Sequence, residues 1–197
     1  PVQAVCRYTM SKDREQYTMG YGPTATAVLA TRTAQNHAAF FLPHLQTGMS
    51  LLDCGCGLGT ITLGFADIVA PGQAVGTEIE ASLVILAREA AFYRQVSNAC
   101  FEVADIYDLP FGAACFDAVF ISAVLGNLRE PAQALREAHR VLKPGGVIGV
   151  KEFDQDRRTT LLRELDGIVT GEYLWIFQWP APYERVVFWN TFGYPQG

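Results

Sequence analysis

The sequence lacks several features that would assign it to a special class of protein. Its 197 residues contain no apolar run of membrane-spanning length, so no transmembrane helix is expected. Basic residues form no run, and the net charge of −5 argues against nucleic acid as the main partner. No basic segment followed by an apolar one opens the chain, so we expect no secretory signal and predict a cytoplasmic location.

The spacing of the cysteines favours neither disulfides nor metal sites. The five cysteines include no CxxC pair, so a zinc site is not indicated and we expect no metal. A disulfide between Cys54 and Cys56, which flank one glycine, would be strained. We interpret the thiols as small core residues in a reducing compartment, with a soft-metal or metalloid site as a minor alternative.

Short apolar runs alternate with segments of helical spacing along the chain. The runs include "MSLLDC", "AVGTE", "ACFEVAD", "FDAVFISAVL" and "VIGVKEF", and helical patterns such as "ASLVILAREAAFYRQ" and "PAQALREAHRVL" separate them. This alternation predicts a parallel sheet covered by helices on both faces, and the nearly continuous apolar strands are typical of such burial. We therefore predict an α/β fold with a doubly wound, mostly parallel sheet.

The chain is predicted to have three segments. Residues 1–45 form an N-terminal helical cap segment, residues 46–155 the α/β core, and residues 156–197 an aromatic-rich C-terminal segment. No clear helix followed by two strands comes after the core, so the strands that would close the sheet are expected to be absent, truncated or supplied otherwise. The aromatic segment is interpreted as a lid over an apolar ligand, as a cover for the sheet or as the seam of a homodimer. Because the chain starts without methionine, we expect it to be a fragment of a longer protein.

The stretch "LLDCGCGLGT", residues 51 to 60, carries the most chemical information. Gly55, Gly57 and Gly59 follow an apolar strand and open a helix, which predicts that a ligand approaches the backbone closely. In open parallel sheets such ligands lie beyond the carboxyl ends of the strands, where the strand order reverses. The spacing G-x-G-x-G differs from the G-x-G-x-x-G of dinucleotide-binding folds, which disfavours a nicotinamide-dependent oxidoreductase.

Two acidic residues follow the next two predicted strands. Glu78 ends the second strand, where a carboxylate can accept hydrogen bonds from both hydroxyls of a ribose. Asp105 ends the third strand and is placed to accept from the exocyclic amine of an adenine. Ile79 and Ile106 follow the two acids and are placed on either side of the adenine ring. Asp117, at the start of a strand and away from this edge, is interpreted as structural.

Taken in order, these motifs resemble the class I S-adenosylmethionine-dependent methyltransferases. The resemblance extends from Tyr17 to Phe153 and includes "FDAVFISAVL" and "AHRVLKPGG". Within that family the sequence is similar to the ubiquinone/menaquinone-biosynthesis C-methyltransferase-like group. The resemblance implies a Rossmann-like fold, S-adenosylmethionine as cofactor and S-adenosylhomocysteine as product. It also implies transfer of the methyl group, by in-line displacement, to a small apolar or aromatic acceptor.

The resemblance further implies contacts between single residues and the cofactor. The methionine portion is assigned to the glycine loop, the acid before it and the end of the fourth strand: Asp53, Gly55, Cys56, Gly57, Gly59, Ser122 and Leu125. The ribose is assigned to Glu78, and the adenine to Ile79, Asp105 and Ile106. The segment "YTMGYGP" and the helix after it resemble a cap whose candidate contacts are Tyr17, Tyr21 and Arg32. An N-cap role remains the alternative for Asp53, and packing the alternative for the two tyrosines.

No catalytic residue is assigned from the sequence. Glu152 and Asp154, near the end of the fifth strand, are placed for a general base, but we interpret them as a solvated strand end. Two other functions stay open: a non-catalytic S-adenosylmethionine-binding regulatory domain and, less favoured, an NAD-dependent oxidoreductase.

Overall fold

A seven-stranded sheet runs through the part of the chain that the structure describes. The structure is a computed structural model, which describes residues 22–151 and the backbone of two later strands. In chain order the elements are α1 (Pro23–Ala30), α2 (Ala34–His37), β1 (Leu51–Cys54), α3 (Thr60–Val69), β2 (Ala74–Glu78), α4 (Ala81–Tyr93), β3 (Ala99–Val103), β4 (Phe116–Ser122), α5 (Pro131–Val141), β5 (Leu142–Lys151), β6 (Leu174–Gln178) and β7 (Val186–Trp189), with short 3₁₀ helices at Leu42–His44 and Leu125–Asn127.

The strand order is β3-β2-β1-β4-β5-β6-β7, and the first six strands in the chain are parallel. The chain runs outward from β1 through β2 to β3, then returns to place β4 on the other side of β1. In register, Leu52 of β1 lies between Val75 of β2 and Val119 of β4. The order therefore reverses between β1 and β4, where open α/β sheets bind their ligands. The predicted doubly wound, mostly parallel fold is confirmed.

The closing strands, for which absence was one of the expectations, are present in the structure. β6 pairs in parallel with β5, and β7 pairs antiparallel with β6 at the edge of the sheet. The sequences of these strands, "LWIFQ" and "VVFW", are short apolar runs, which periodicity alone assigns to neither strand nor helix. Only pairing makes them strands: β6 pairs with β5, which is distant in the sequence, and β7 pairs with β6. The rest of the predicted segment 156–197 lies outside the described residues.

Alternate residues of the central strands face two different core layers. Leu52 of β1 and Val119 of β4 face the layer beneath α5. Leu51 and Phe120 face the opposite layer, which α2 and α3 cover. Because both faces are covered, every residue of β1 is buried, as expected for a central parallel strand. Among the described residues, no helix is long and apolar enough to cross a membrane.

Three phenylalanines connect the segment before β1 to the sheet. The ring of Phe120 lies 5.4 Å from Phe41 and 5.1 Å from Phe65, measured between centroids. All three rings are fully buried, and the ring of Phe41 lies directly over Gly149 of β5. A Cβ at Gly149 would lie 2.5 Å from Cδ2 of Phe41. The segment before β1 can pack closely on β5 because Gly149 has no side chain.

We expect Gly149→Ala to lower the free energy of unfolding by about 1–3 kcal/mol, because the buried Phe41 ring has nowhere to move. Gly112→Ala is the matched control, since its Cβ would make an ordinary contact, 3.5 Å from Sγ of Cys115. Chemical denaturation of both variants measures the difference. Equal stability of the two variants would contradict this account of the packing.

The amino end of the sheet is fixed by an ion pair far from the ligand-binding edge. Asp117, at the start of β4, accepts hydrogen bonds from Nζ of Lys143 at 2.8 Å and from the backbone N–H of Ser50 at 2.8 Å. Partial burial opposes the charge of Asp117, but these hydrogen bonds lower its pKa below the ordinary value. The position of Asp117 agrees with its interpretation as a structural residue.

Candidate functional site

The loop between β1 and α3 has a left-handed backbone at three alternate residues. The φ angles are +74° at Gly55, +54° at Gly57 and +71° at Gly59, a region that favours glycine. A Cβ at Gly59 would also lie 2.5 Å from the ring of Phe101, and one at Gly55 would overlap Cγ2 of Val124. The glycines therefore let α3 pack on the sheet and bring the loop after β4 against the glycine loop.

Backbone hydrogen bonds tie the glycine loop to the carboxyl end of β2. The N–H groups of Gly55 and Cys56 both donate to the carbonyl oxygen of Thr77, at 2.7 and 2.9 Å. The N–H of Gly57 donates to Oε2 of Glu78 at 3.1 Å. These hydrogen bonds fix the position of the glycine loop relative to Glu78, the predicted ribose-binding acid.

Glu78 is a buried carboxylate held by backbone groups on both of its oxygens. Besides Gly57, the N–H of Glu80 donates to Oε1 at 3.1 Å. Burial raises the pKa of Glu78, and the backbone hydrogen bonds partly offset that rise. Each carboxylate oxygen can accept more than one hydrogen bond, so both keep capacity for the hydroxyls of a ligand.

Asp53, at the end of β1, is a second buried acid of this edge. Its side chain is 2% exposed, and Oδ2 accepts a hydrogen bond of 2.6 Å from Oγ1 of Thr62 in α3. The N-cap of α3 is Gly59, so the N-cap interpretation of Asp53 is wrong. Burial raises the pKa of Asp53 to about 7, against the lowering effect of Thr62 and with a further rise from the charge of Glu78.

The turn after β3 places Asp105 beside β2. The N–H of Ala104 donates to the carbonyl oxygen of Glu78 at 3.0 Å, which aligns the start of the turn with the end of β2. Asp105 is half-buried, and its Oδ1 accepts from the N–H of Tyr107 at 3.0 Å. Ile79 is half-buried, whereas Ile106 is buried in the core layer beneath α5. The second carboxylate oxygen of Asp105, Oδ2, can therefore accept a hydrogen bond from a ligand at this edge.

The end of β4 contributes a buried hydroxyl. Oγ of Ser122 is buried and has no hydrogen-bond partner among the described residues. Leu125, also predicted to contact the cofactor, is fully buried in the core layer beneath α5. Because an unpaired buried hydroxyl is unfavourable, Ser122 is a candidate for contact with a ligand.

Arg32 lies close enough to His37 for its charge to act on that imidazole, and its contact with the cofactor stays a prediction. Burial, and then the charges of Lys151 and Arg32, lower the pKa of His37 from its ordinary value of 6.5 to about 4. Arg32 is half-buried and close to His37, and Lys151 is the last residue of β5. The other predicted cap contacts, Tyr17 and Tyr21, lie outside the described residues, as do Glu152 and Asp154.

Three residues of this edge were not predicted from the sequence. Leu29 of α1 approaches the glycine loop, with Cδ1 3.5 Å from where a Cβ of Gly57 would lie. Val124 covers Gly55, and Thr62 orients Asp53. Of these three residues, only Thr62 could have been predicted from the sequence, because a threonine in the first turn of a helix can face the end of the preceding strand. Among the described residues, no group of His, Cys, Asp and Glu side chains is arranged to hold a metal ion.

The buried Asp53 predicts an unusual dependence of stability on pH. The unfolded chain releases this proton near pH 3.8, while the folded chain keeps it up to about pH 7. Its contribution to the free energy of unfolding should therefore fall as pH rises between these values, by up to about 1.4 kcal/mol per pH unit. Denaturation of wild type and Asp53→Asn across this range isolates the effect, and Thr62→Val should extend it to higher pH. Identical pH profiles for wild type and Asp53→Asn would contradict the assignment.

Several curated proteins are similar in sequence to this chain. A probable methyltransferase, ltbC, from Aspergillus luteorubrus is 32% identical over 166 residues, which cover 80% of this chain and 58% of that protein. A ubiquinone/menaquinone biosynthesis C-methyltransferase, UbiE, from Pseudomonas savastanoi pv. phaseolicola is 37% identical over 131 residues, covering 66% of this chain and 51% of that protein. The chain therefore spans only between half and three-fifths of the length of these relatives.

Among solved structures, the [4+2]-cyclase SpnF is similar, with a TM-score of 0.58 and 31% identity over 74% of this chain and 55% of that one. A family model described as a methyltransferase domain matches residues 52–150, which is half of the chain. The match runs from the second residue of β1 almost to the end of β5, and so includes the glycine loop, both buried acids and the turn after β3. The chain belongs to the class I S-adenosylmethionine-dependent methyltransferase family.

Proposed function

We propose that this chain binds S-adenosylmethionine at the carboxyl edge of the sheet and moves its methyl group to a small apolar or aromatic molecule. The observation that carries the proposal is the hydrogen bond between the N–H of Gly57 and the carboxylate of Glu78. It joins a glycine-rich stretch of backbone to a buried acid at the point where the strand order reverses.

The charges of the site favour a cationic cofactor. Asp53 and Glu78 are both buried, and no ion pair among the described residues includes either of them. Buried carboxylates without a cation are unfavourable, and a ligand with a positive charge would relieve that cost. S-adenosylmethionine carries a sulfonium and an ammonium group, whereas a dinucleotide would bring a negatively charged pyrophosphate. This difference supports S-adenosylmethionine over a nicotinamide cofactor.

The other parts of the cofactor have partners of matching chemistry at this edge. Glu78 keeps acceptor capacity for the ribose hydroxyls, and Asp105 has a carboxylate oxygen for the adenine amine. The unpaired hydroxyl of Ser122 would donate to the carboxylate of the methionine portion. Gly55, Cys56 and Gly57 would lie along that portion, with Asp53 near its ammonium group.

The protein's contribution to methyl transfer is alignment. Bound at this edge, S-adenosylmethionine would supply a methyl group that is already electrophilic because its sulfur is positively charged. Holding two reacting groups in line lowers the barrier by an amount on the order of 7 kcal/mol or more. Leu29 and Val124 are apolar residues against the glycine loop, and they would help to exclude water there. Asp53 would favour the charged cofactor in the ground state, so we assign it to binding and not to rate.

Leu29 and Val124, the apolar residues that lie against the glycine loop, support an apolar or aromatic acceptor. The relative from Pseudomonas is named for the biosynthesis of ubiquinone and menaquinone, whose rings and tails are apolar. We accordingly infer an acceptor of that general chemistry.

A second candidate is a chain that binds the cofactor without transferring its methyl group. The observation in its favour is the similarity to SpnF, a protein of this fold that is named as a cyclase. The two candidates share the binding site and differ only in whether S-adenosylhomocysteine is produced.

We expect S-adenosylhomocysteine, and not NADH, to bind in calorimetry. Glu78→Gln and Asp105→Asn should each weaken binding about tenfold or more, because each removes a charged hydrogen-bond acceptor. Glu89→Gln, on the exposed face of α4, is the control and should bind as wild type does. Binding of NADH alone, or full affinity in both site variants, would overturn the proposed cofactor site.

Incubation with S-adenosylmethionine labelled in its methyl group distinguishes the two candidates. With a panel of phenols and hydroquinones as acceptors, we expect label in the organic extract and an equal amount of S-adenosylhomocysteine. If the protein binds S-adenosylhomocysteine but labels none of the panel, the proposed apolar acceptor is wrong and the binding-only candidate is favoured.

A further inference from the structure

The turn that carries Asp105 is attached to α5 as well as to the end of β2. The N–H of Leu109 donates to Oε1 of Glu137 at 2.9 Å. Arg140 donates from one terminal nitrogen to the carbonyl oxygen of Leu109 at 3.1 Å, and from the other to that of Phe111 at 2.8 Å. Two side chains of one helix therefore bind three backbone groups of the turn, and the carbonyl oxygen of Leu109 also accepts from the N–H of Phe111.

Glu137 and Arg140 also bind each other, one helical turn apart. Nε of Arg140 donates to Oε2 of Glu137 at 2.8 Å, and a terminal nitrogen donates to Oε1 at 2.6 Å. This paired geometry needs the planar guanidinium group. The hydrogen bonds from Arg140 lower the pKa of Glu137 against the effect of partial burial, so the pair stays ionised at neutral pH. The polarity is specific: the carboxylate faces an N–H group of the turn, and the guanidinium faces two carbonyls.

A third contact joins the same turn to the beginning of α5. The hydroxyl oxygen of Tyr107 accepts from the N–H of Glu130, the residue before α5, at 3.1 Å. The N–H of Tyr107 donates to the carboxylate of Asp105. The turn is therefore attached to α5 near both ends of the helix, and Asp105 is attached to the turn.

We propose that Glu137 and Arg140 are positioning residues for adenine recognition, because they fix the turn from which Asp105 reads the exocyclic amine. This inference rests on the proposed function. Neither side chain would contact the cofactor: each acts through the backbone of residues 109–111. The pair would thus set specificity for adenine, in addition to any contribution to stability.

The experiment compares S-adenosylhomocysteine with S-inosylhomocysteine, in which a carbonyl replaces the exocyclic amine. A partly unfolded variant loses affinity for both ligands equally, so the ratio of the two dissociation constants reports on adenine recognition alone. We expect wild type to prefer the adenine ligand about tenfold or more, as is typical when a charged hydrogen bond is lost. In Arg140→Met we expect the ratio to fall nearly to one.

Three further variants separate positioning from stability. Exchanging the charges, with Glu137→Arg and Arg140→Glu together, can keep the ion pair but reverses the polarity presented to the turn, so the ratio should stay low. Arg140→Lys keeps the positive charge, but an ammonium group cannot make all the hydrogen bonds of the planar guanidinium. The ratio of the two dissociation constants should therefore be intermediate. Lys143→Met is the matched control, because it removes the ion pair with Asp117 at the opposite end of the sheet. It should lose stability and keep the wild-type ratio.

The outcomes distinguish this inference from the proposed function. A wild-type ratio in Arg140→Met or in the charge-exchanged variant would overturn the positioning role and leave the cofactor site intact. If wild type binds both ligands equally well, the positioning role is also overturned and the cofactor site again stays intact. If wild type binds neither ligand, the proposed function fails and the positioning role fails with it.

Discussion

The hydrogen bond from the N–H of Gly57 to Glu78 is the interaction on which the rest of the site depends. It requires a backbone with positive φ at Gly57, which glycine adopts without strain. It also requires a carboxylate buried at the end of the neighbouring strand, and the loop supplies part of the stabilisation that water would give elsewhere. The glycine loop and β2 are therefore a single unit, and the turn after β3 and the loop after β4 are aligned with it.

The site keeps two acids in a buried place where the described residues offer no cation. This arrangement disfavours the folded chain at neutral pH, and a positively charged ligand would reverse the effect. Stability is commonly reduced at binding sites in this way, because groups arranged for a ligand are not arranged for the empty protein. A sulfonium cofactor suits these two carboxylates, whereas a pyrophosphate cofactor would add negative charge beside them.

Much of the fold and part of the site could be predicted from the sequence. The central strands were recognisable as short apolar runs because β1 and β2 are buried on both faces, and α4 and α5 showed helical spacing because each buries one face. The glycine loop and the acids after β2 and β3 could be found because they follow strand ends, whose neighbours are known once the sheet is parallel. The sequence alone therefore predicts that Glu78 and Asp105 lie at the same edge of the sheet.

What escaped prediction depends on contacts between distant segments. β6 and β7 are short apolar runs that become strands only by pairing beside β5. Leu29 and Val124 are ordinary apolar residues, and nothing in their local sequence says that they approach glycines of another segment. The contacts of Arg140 with the turn after β3 likewise join residues 29 and 31 positions apart.

A crystal structure with S-adenosylhomocysteine bound tests the central claim most directly. The account predicts the ribose hydroxyls within hydrogen-bond distance of Glu78, the adenine amine at Asp105, and the homocysteine portion along the backbone of Gly55 to Gly57. A ligand located elsewhere, or one in this cleft that leaves the carboxylate of Glu78 without a ligand contact, would contradict it.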